Sequence, residues 1–109
     1  KMKTGPSATM LQRVYDVILD RKNCSPDNSY VSSLMDKGID SILKKIGEES
    51  AEIILATKNE NRKDQIHEIT DLWFHLLILM GYQGITIEDI SQELKKRFGQ
   101  SGLEEKAQR

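Results

Sequence analysis

Residues 39–58, IDSILKKIGEESAEIILATK, carry apolar side chains at Ile39, Ile42, Leu43, Ile46, Ile53 and Ala56. That three-and-four spacing belongs to one face of a helix. The position that should continue the stripe between Ile46 and Ile53 is Glu49, and Glu48 and Glu52 stand beside it. Three carboxylates therefore crowd the middle of a helix whose face ought to be buried.

Upstream, 8–22 repeats the helical spacing through Leu11, Val14 and Ile18, with Met10, Val17 and Leu19 beside them. The cluster NCSPDN at 23–28 is rich in turn formers, and 29–37 offers about two turns of helix before Gly38. Downstream, Asn59-Glu60-Asn61 breaks the pattern, and Asn61 with Asp64 resembles a capping box opening a helix that runs to about Tyr82. Within it LWFHLLILM at 72–80 is apolar all round apart from His75, and such a segment must be covered on every side. A chain this short has few helices for that, so a partner subunit is expected to supply one. Thr86 and Asp89 form a second box, with Ile85 and Ile90 placed as a hydrophobic staple, for a last helix ending near Phe98 before Gly99. No segment alternates with period two for long enough to make a strand. The expected fold is all-α, a helical bundle of four to five helices completed by homodimerisation. Its domain spans 9–98, between a flexible N-terminal segment at 1–8 and a polar C-terminal tail at 99–109.

A length of 109 residues suits one domain. Sixteen Lys and Arg against seventeen Asp and Glu leave a net charge of -1, so there is no global basic field for nucleic acid or an anionic membrane. The 72–80 run is about half of the roughly 20 residues that span a bilayer, which makes it a core helix. The single cysteine, Cys24, cannot form an intramolecular disulfide, and the start lacks the succession of a signal peptide. A reducing, cytoplasmic setting is expected.

On a helix, Glu49 and Glu52 are neighbours, as are Glu48 and Glu52. On the next helix Glu68 and Asp71 repeat the spacing. At 100° per residue, Asp71 and His75 fall within roughly 60° of Glu68, while Ile66, Ile69, Trp73 and Met80 lie on the other half. Antiparallel packing across 59–61 would bring the two acidic sets to comparable heights. Carboxylates gathered without a cation repel one another and are pushed toward protonation. A hard divalent ion removes that conflict. Mg²⁺, with Mn²⁺ as a substitute, suits such an oxygen set and the phosphates of a nucleotide.

A lone E-x-x-E is more often a solvated face, here with Lys44–Glu48 and Lys45–Glu49 pairs worth only tenths of a kcal/mol. Two acidic pairs on consecutive helices, one of them invading an apolar stripe, argue for a site instead. Lys45 is the first candidate for holding phosphate, with Lys37, Lys44 and Arg97 behind it. An acid outside the metal's ligand set would take the proton of the attacking water. His75 reads first as a hydrogen-bonded core residue and second as support for the site. Gly47, without a side chain, would let a substrate or a neighbouring helix approach the backbone.

GEESAE with Glu68-Ile69-Thr70-Asp71 resembles the E-E-x-x-E…E-x-x-D signature of the all-α nucleotide pyrophosphohydrolases, the MazG-like superfamily. Within it Ser29-Tyr30, Lys37-Gly38, ILKKIGEE at 42–49, DLWFHLL at 71–77 and SGLEEK at 101–106 are similar to the phosphoribosyl-ATP pyrophosphohydrolase family of histidine biosynthesis. The resemblance runs from Leu11 over nearly all of the chain. It implies a dimerising helical bundle that hydrolyses phosphoribosyl-ATP to phosphoribosyl-AMP and pyrophosphate with Mg²⁺, the second step of that pathway. Carried over by position, Glu49, Glu52, Glu68 and Asp71 fall on the family's metal-binding carboxylates. Glu48 falls on the extra acid, a ligand or a water-activating base. Ser50 and Trp73-Phe74 depart from the family's usual residues without touching the chemistry.

Three rivals remain at this point. A house-cleaning (d)NTP pyrophosphohydrolase of the same superfamily fits the carboxylates, but not the 29–38 arm or the 101–106 tail. A non-catalytic helical dimerisation module would leave the acidic face merely solvated. A di-iron bundle needs Glu-x-x-His pairs, and Asp71 holds the place of that histidine after Glu68.

Overall fold

The arm at 23–38 and the two helix caps beyond it are built from short-range bonds that their residue types dictate. In this computed structural model, which describes residues 6–99 and side chains from Met10 onward, the order is α1 (Pro6–Arg21), a 3₁₀ turn (Pro26–Asn28), α2 (Tyr30–Lys37), α3 (Ile39–Lys58), α4 (Arg62–Gln83) and α5 (Ile87–Phe98). No strand occurs among the described residues. The expected 1–8 segment lies mostly outside them, and α1 starts at Pro6 rather than Ala8. All but the first residue of the expected 99–109 tail, including SGLEEK, lies outside the described residues.

Ser25 Oγ accepts the Asp27 N–H at 3.3 Å to cap the 3₁₀ turn, and Ser29 Oγ accepts the Ser32 N–H at 3.1 Å to cap α2. The buried Ser32 hydroxyl donates back to the Ser25 carbonyl at 2.9 Å, tying the arm to α2. Gly38 then separates α2 from α3 at φ +100°, where an L side chain would be strained.

The two expected capping boxes come out differently. At α5 both halves form, with the Asp89 N–H on Thr86 Oγ1 at 3.0 Å and the Thr86 N–H on Asp89 Oδ2 at 2.9 Å. At α4 only one half forms: Asn61 Oδ1 accepts the Asp64 N–H at 3.0 Å. The Asn61 N–H already donates to the Ala56 carbonyl at 3.1 Å, closing α3, so nothing is left for the Asp64 carboxylate.

The α3–α4 hairpin is the most extensive contact in the molecule; α1 packs across α4, and α2 fills the angle between α3, α1 and α4. Their shared core is Tyr15, Ile18, Val31, Leu34, Met35, Ile42, Leu77 and Ile78. Ile18, Ile42 and Ile78 are wholly inaccessible, and each such burial stabilises the fold by about 1.5–3 kcal/mol. Close contact of α1 with α4 depends on Gly81, where an added Cβ would stand 3.2 Å from Ile18 Cγ2. Lys22 Nζ donates to the Gly81 carbonyl at 3.1 Å, and Tyr15 Oη donates to the Ile85 carbonyl at 2.6 Å, fastening the end of α4 to α1.

The apolar 72–80 segment is covered on one side only. His75, Leu77 and Ile78 are buried, while Trp73 is 50% and Leu76 38% exposed. α5 buries no residue, and between it and α4 runs an apolar groove lined by Leu11, Trp73, Leu76, Met80, Ile85 and Ile90. Ile54 and Leu55 on α3 and Ile66 on α4 are also exposed, at the outer end of the hairpin. A radius of gyration of 16.6 Å, against about 13 Å for a compact chain of this length, reflects these uncovered arms. No helix among the described residues is long and apolar enough to cross a membrane.

Candidate active site

The inward stripe of α3 runs Ile42, Ile46, Glu49, Ile53, Ala56, with Ile42, Glu49 and Ala56 buried, so the helix itself carries a carboxylate inward against α4. Glu49 is 8% exposed. Its Oε2 lies 3.8 Å from Lys45 Nζ, and its Oε1 is buried with no hydrogen-bond partner. A buried carboxylate oxygen left unmatched costs about 1–3 kcal/mol or more, so this atom is one that a ligand would satisfy.

From α4, Glu68 faces Glu49 and Glu52. Its carboxyl is held above its ordinary 4.5 by lost hydration first, then by the nearness and charge of Glu49 and the charge of Glu52, with His67 acting in the opposite sense. Along the same helix, His67 Nε2 lies 3.4 Å from Asp71 Oδ2. His67, Glu68 and Asp71 each present one ligand atom within 4.8 Å of the others. The donor set is dominated by carboxylate oxygens, which suits a hard divalent cation.

Lys45 also approaches Glu48 Oε1 at 3.7 Å, so one ammonium lies between two acids of the motif. Lys37 ends α2 and Lys44 is exposed on α3, and neither forms an ion pair with these carboxylates. Arg97 lies on α5, where its Nε donates to Glu93 Oε2 at 2.9 Å. The structure thus gathers Glu49, Glu52, Glu68, Asp71, Glu48 and Lys45 along the α3–α4 seam, and leaves Lys37, Lys44 and Arg97 outside that cluster. Ser50 turns its hydroxyl onto the Ile46 carbonyl at 2.9 Å, within its own helix. At Gly47 the space a Cβ would fill is open.

His75 joins the seam to α2. Its Nδ1 lies 2.8 Å from the Asp71 carbonyl oxygen and its Nε2 lies 2.6 Å from Tyr30 Oη. Phe74 packs on both rings, stacked with Tyr30 at 6.3 Å between centroids and edge-on to His75 at 5.5 Å.

Two residues here are absent from the sequence reading of the site. His67 carried a local signal, its i,i+4 spacing to Asp71 on an acidic helix face. Tyr30 stood out only in the Ser29-Tyr30 part of the resemblance and carried no spacing signal, because its partner is 45 residues away.

The chain is also similar to proteins that carry a name. The family profile described as Phosphoribosyl-ATP pyrophosphohydrolase matches residues 11–98. A Geobacter metallireducens protein named Phosphoribosyl-ATP pyrophosphatase is 52% identical over 100 residues, covering 92% of each chain. One of the same name from Hydrogenovibrio crunogenus is 54% identical over 99 residues, covering 86% of this chain and 88% of its own. Another from Vesicomyosocius okutanii is 52% identical over 100 residues, covering 92% and 95%.

Proposed function

The chain belongs to the phosphoribosyl-ATP pyrophosphohydrolase family, and from that membership we propose that it hydrolyses phosphoribosyl-ATP to phosphoribosyl-AMP and pyrophosphate, the second step of histidine biosynthesis. The observation that carries the reading is Glu49, a carboxylate buried in an apolar stripe with an unmatched oxygen, facing a second acidic helix. Solvated acids on a non-catalytic module have no reason to enter the interior.

Glu49, Glu52, Glu68 and Asp71 would hold Mg²⁺, or Mn²⁺ in its place, with His67 beside them. A divalent cation supplies charge neutralisation at the phosphate oxygens and lowers the pKa of water. The chain's own groups do the rest. Lys45 Nζ turns from Glu48 toward a phosphate oxygen, adding a positive charge that the carboxylates lack. Glu48, exposed and outside the four carboxylates assigned to the cation, takes the proton of the attacking water at Oε2. The new P–O bond forms as the link between the α- and β-phosphates breaks, and pyrophosphate departs.

The working unit in this proposal is a cytoplasmic homodimer, a reading supported by the apolar side chains that one chain leaves in water, Trp73 and Leu76 in the α4–α5 groove and Ile54, Leu55 and Ile66 at the outer end of the hairpin. Pyrophosphate release from phosphoribosyl-ATP, measured beside a panel of NTPs and dNTPs with Mg²⁺, tests the activity. Phosphoribosyl-ATP is expected to be preferred. Preference for an ordinary dNTP would replace this reading with that of a house-cleaning pyrophosphohydrolase.

A further inference from the structure

The hydrogen bonds around His75 have a direction. The Asp71 carbonyl oxygen can only accept, so the N–H of the neutral imidazole is on Nδ1. Nε2 is then an acceptor, and the Tyr30 hydroxyl must donate to it across 2.6 Å. Burial raises the Tyr30 phenol above its ordinary value; Lys45 opposes this, and Glu49, Asp71 and Glu48 add to it, so the proton stays on the phenol at neutral pH. Because His75 bonds the Asp71 carbonyl oxygen on its other side, the hydroxyl stands beside the carboxylate seam.

With its proton given to His75, Tyr30 Oη has only lone pairs left to offer. It can receive a hydrogen bond and cannot make one. A phosphate oxygen is an acceptor too and gains nothing there, whereas a sugar hydroxyl or an exocyclic amine does. The ring is fixed by Phe74 and His75 yet 50% exposed, so the oxygen is oriented without being closed off. Tyr30 also begins α2 beside the Ser29 cap, which ties its backbone position to the rigid arm.

We infer that Tyr30 is a specificity-determining residue of this site, its phenol oxygen accepting a hydrogen bond from a donor group on the sugar or base of the nucleotide, with His75 as the residue that orients it. This rests on the proposed activity. The carboxylates and Lys45 hold the phosphate end, while Tyr30 reads the nucleoside end.

The test uses the full chain with Mg²⁺ and Tyr30→Phe, which keeps the ring and its packing. The variant is expected to raise KM for phosphoribosyl-ATP about tenfold with kcat within about twofold, the loss of one hydrogen bond made in both ground and transition states. Product inhibition by phosphoribosyl-AMP should weaken by a similar factor, while inhibition by inorganic pyrophosphate, which offers no such donor, should not change. Mn²⁺ binding to the nucleotide-free chain, followed by electron paramagnetic resonance, should match wild type. An unchanged KM, a fall in kcat alone, weaker Mn²⁺ binding or an equal loss of pyrophosphate inhibition would each overturn the inference while leaving the proposed activity standing. A wild-type chain that releases no pyrophosphate from phosphoribosyl-ATP would sink both.

Discussion

Glu68 on α4 faces Glu49 on α3, so two acids from consecutive helices oppose each other's ionisation. Lost hydration together with this nearness holds the Glu68 carboxyl above its ordinary 4.5. In the cation-free chain, the folded state therefore holds more protons than the unfolded state between 4.5 and the raised value. Stability must fall as pH rises through that window. A bound cation prefers the deprotonated acids and acts with the opposite sign. Thermal melts from about pH 4 to pH 8 should slope downward in EDTA, and the slope should flatten or reverse in saturating Mg²⁺. Glu68→Gln should flatten the EDTA profile. Identical profiles with and without Mg²⁺ would count against a cation at these carboxylates.

Replacing both acids at once separates repulsion from function. Glu49→Gln with Glu68→Gln removes charge from a crowded seam while keeping shape, so the cation-free fold should gain stability and melt at a higher temperature. Pyrophosphate release should fall by about a hundredfold or more, because the cation loses two of its carboxylates. A double variant that is as active as wild type would return the acidic face to the role of a solvated surface.

Lys45 stands within 4 Å of the exposed Glu48 and of the buried Glu49. Lys45→Met leaves the buried Glu49 carboxylate without that cation, so the cation-free chain should melt at a lower temperature. Removing a competing ammonium from the carboxylates should leave Mn²⁺ affinity equal or tighter, while KM for the nucleotide rises about tenfold. Calorimetric titration of Mn²⁺ beside steady-state kinetics reads both. A loss of Mn²⁺ affinity would mean that Lys45 organises the acids and does not bind phosphate.

How far the sequence reveals this molecule depends on the reach of each interaction. Thr86 with Asp89, Ser29 and Gly38 act on backbone within three residues, so the helix limits they set could be read directly. The burial of Glu49 was legible because its neighbours on the stripe are apolar and helical periodicity is a local property. The Asn61 box forms only in half because the Asn61 N–H donates to the Ala56 carbonyl at the end of the preceding helix. The Tyr30–His75 pair was invisible because it depends on how α2 packs on α4. Where Arg97 points relative to the seam likewise depends on the placing of α5, which no spacing within α5 encodes.

Gly47 lies in the middle of α3 with open space where a Cβ would go, so the chain's own packing does not require a glycine there. Gly47→Ala should raise helix stability by about 0.5–1 kcal/mol. If the open space is an approach for nucleotide or for a partner helix, the same variant should lose activity or affinity despite a higher Tm. A more stable variant with unchanged kinetics and unchanged sedimentation would show that the open space serves neither.

Leu76 is 38% exposed and Trp73 50% exposed on a helix whose opposite side is core, and both line the apolar groove against α5. Surface substitutions in an isolated chain usually change stability by less than about 0.5 kcal/mol, so Leu76→Glu would be nearly silent if the protein worked as a monomer. In a dimer the same carboxylate would be carried into an apolar interface without a partner, at a cost of several kcal/mol. Stable interfaces bury roughly 800 Å² per partner. Sedimentation velocity should therefore show wild type at twice the chain mass, with Leu76→Glu shifted to the monomer and its Tm lowered and concentration-dependent. Wild type sedimenting at the mass of one chain would remove the homodimer and leave the apolar groove without its proposed occupant.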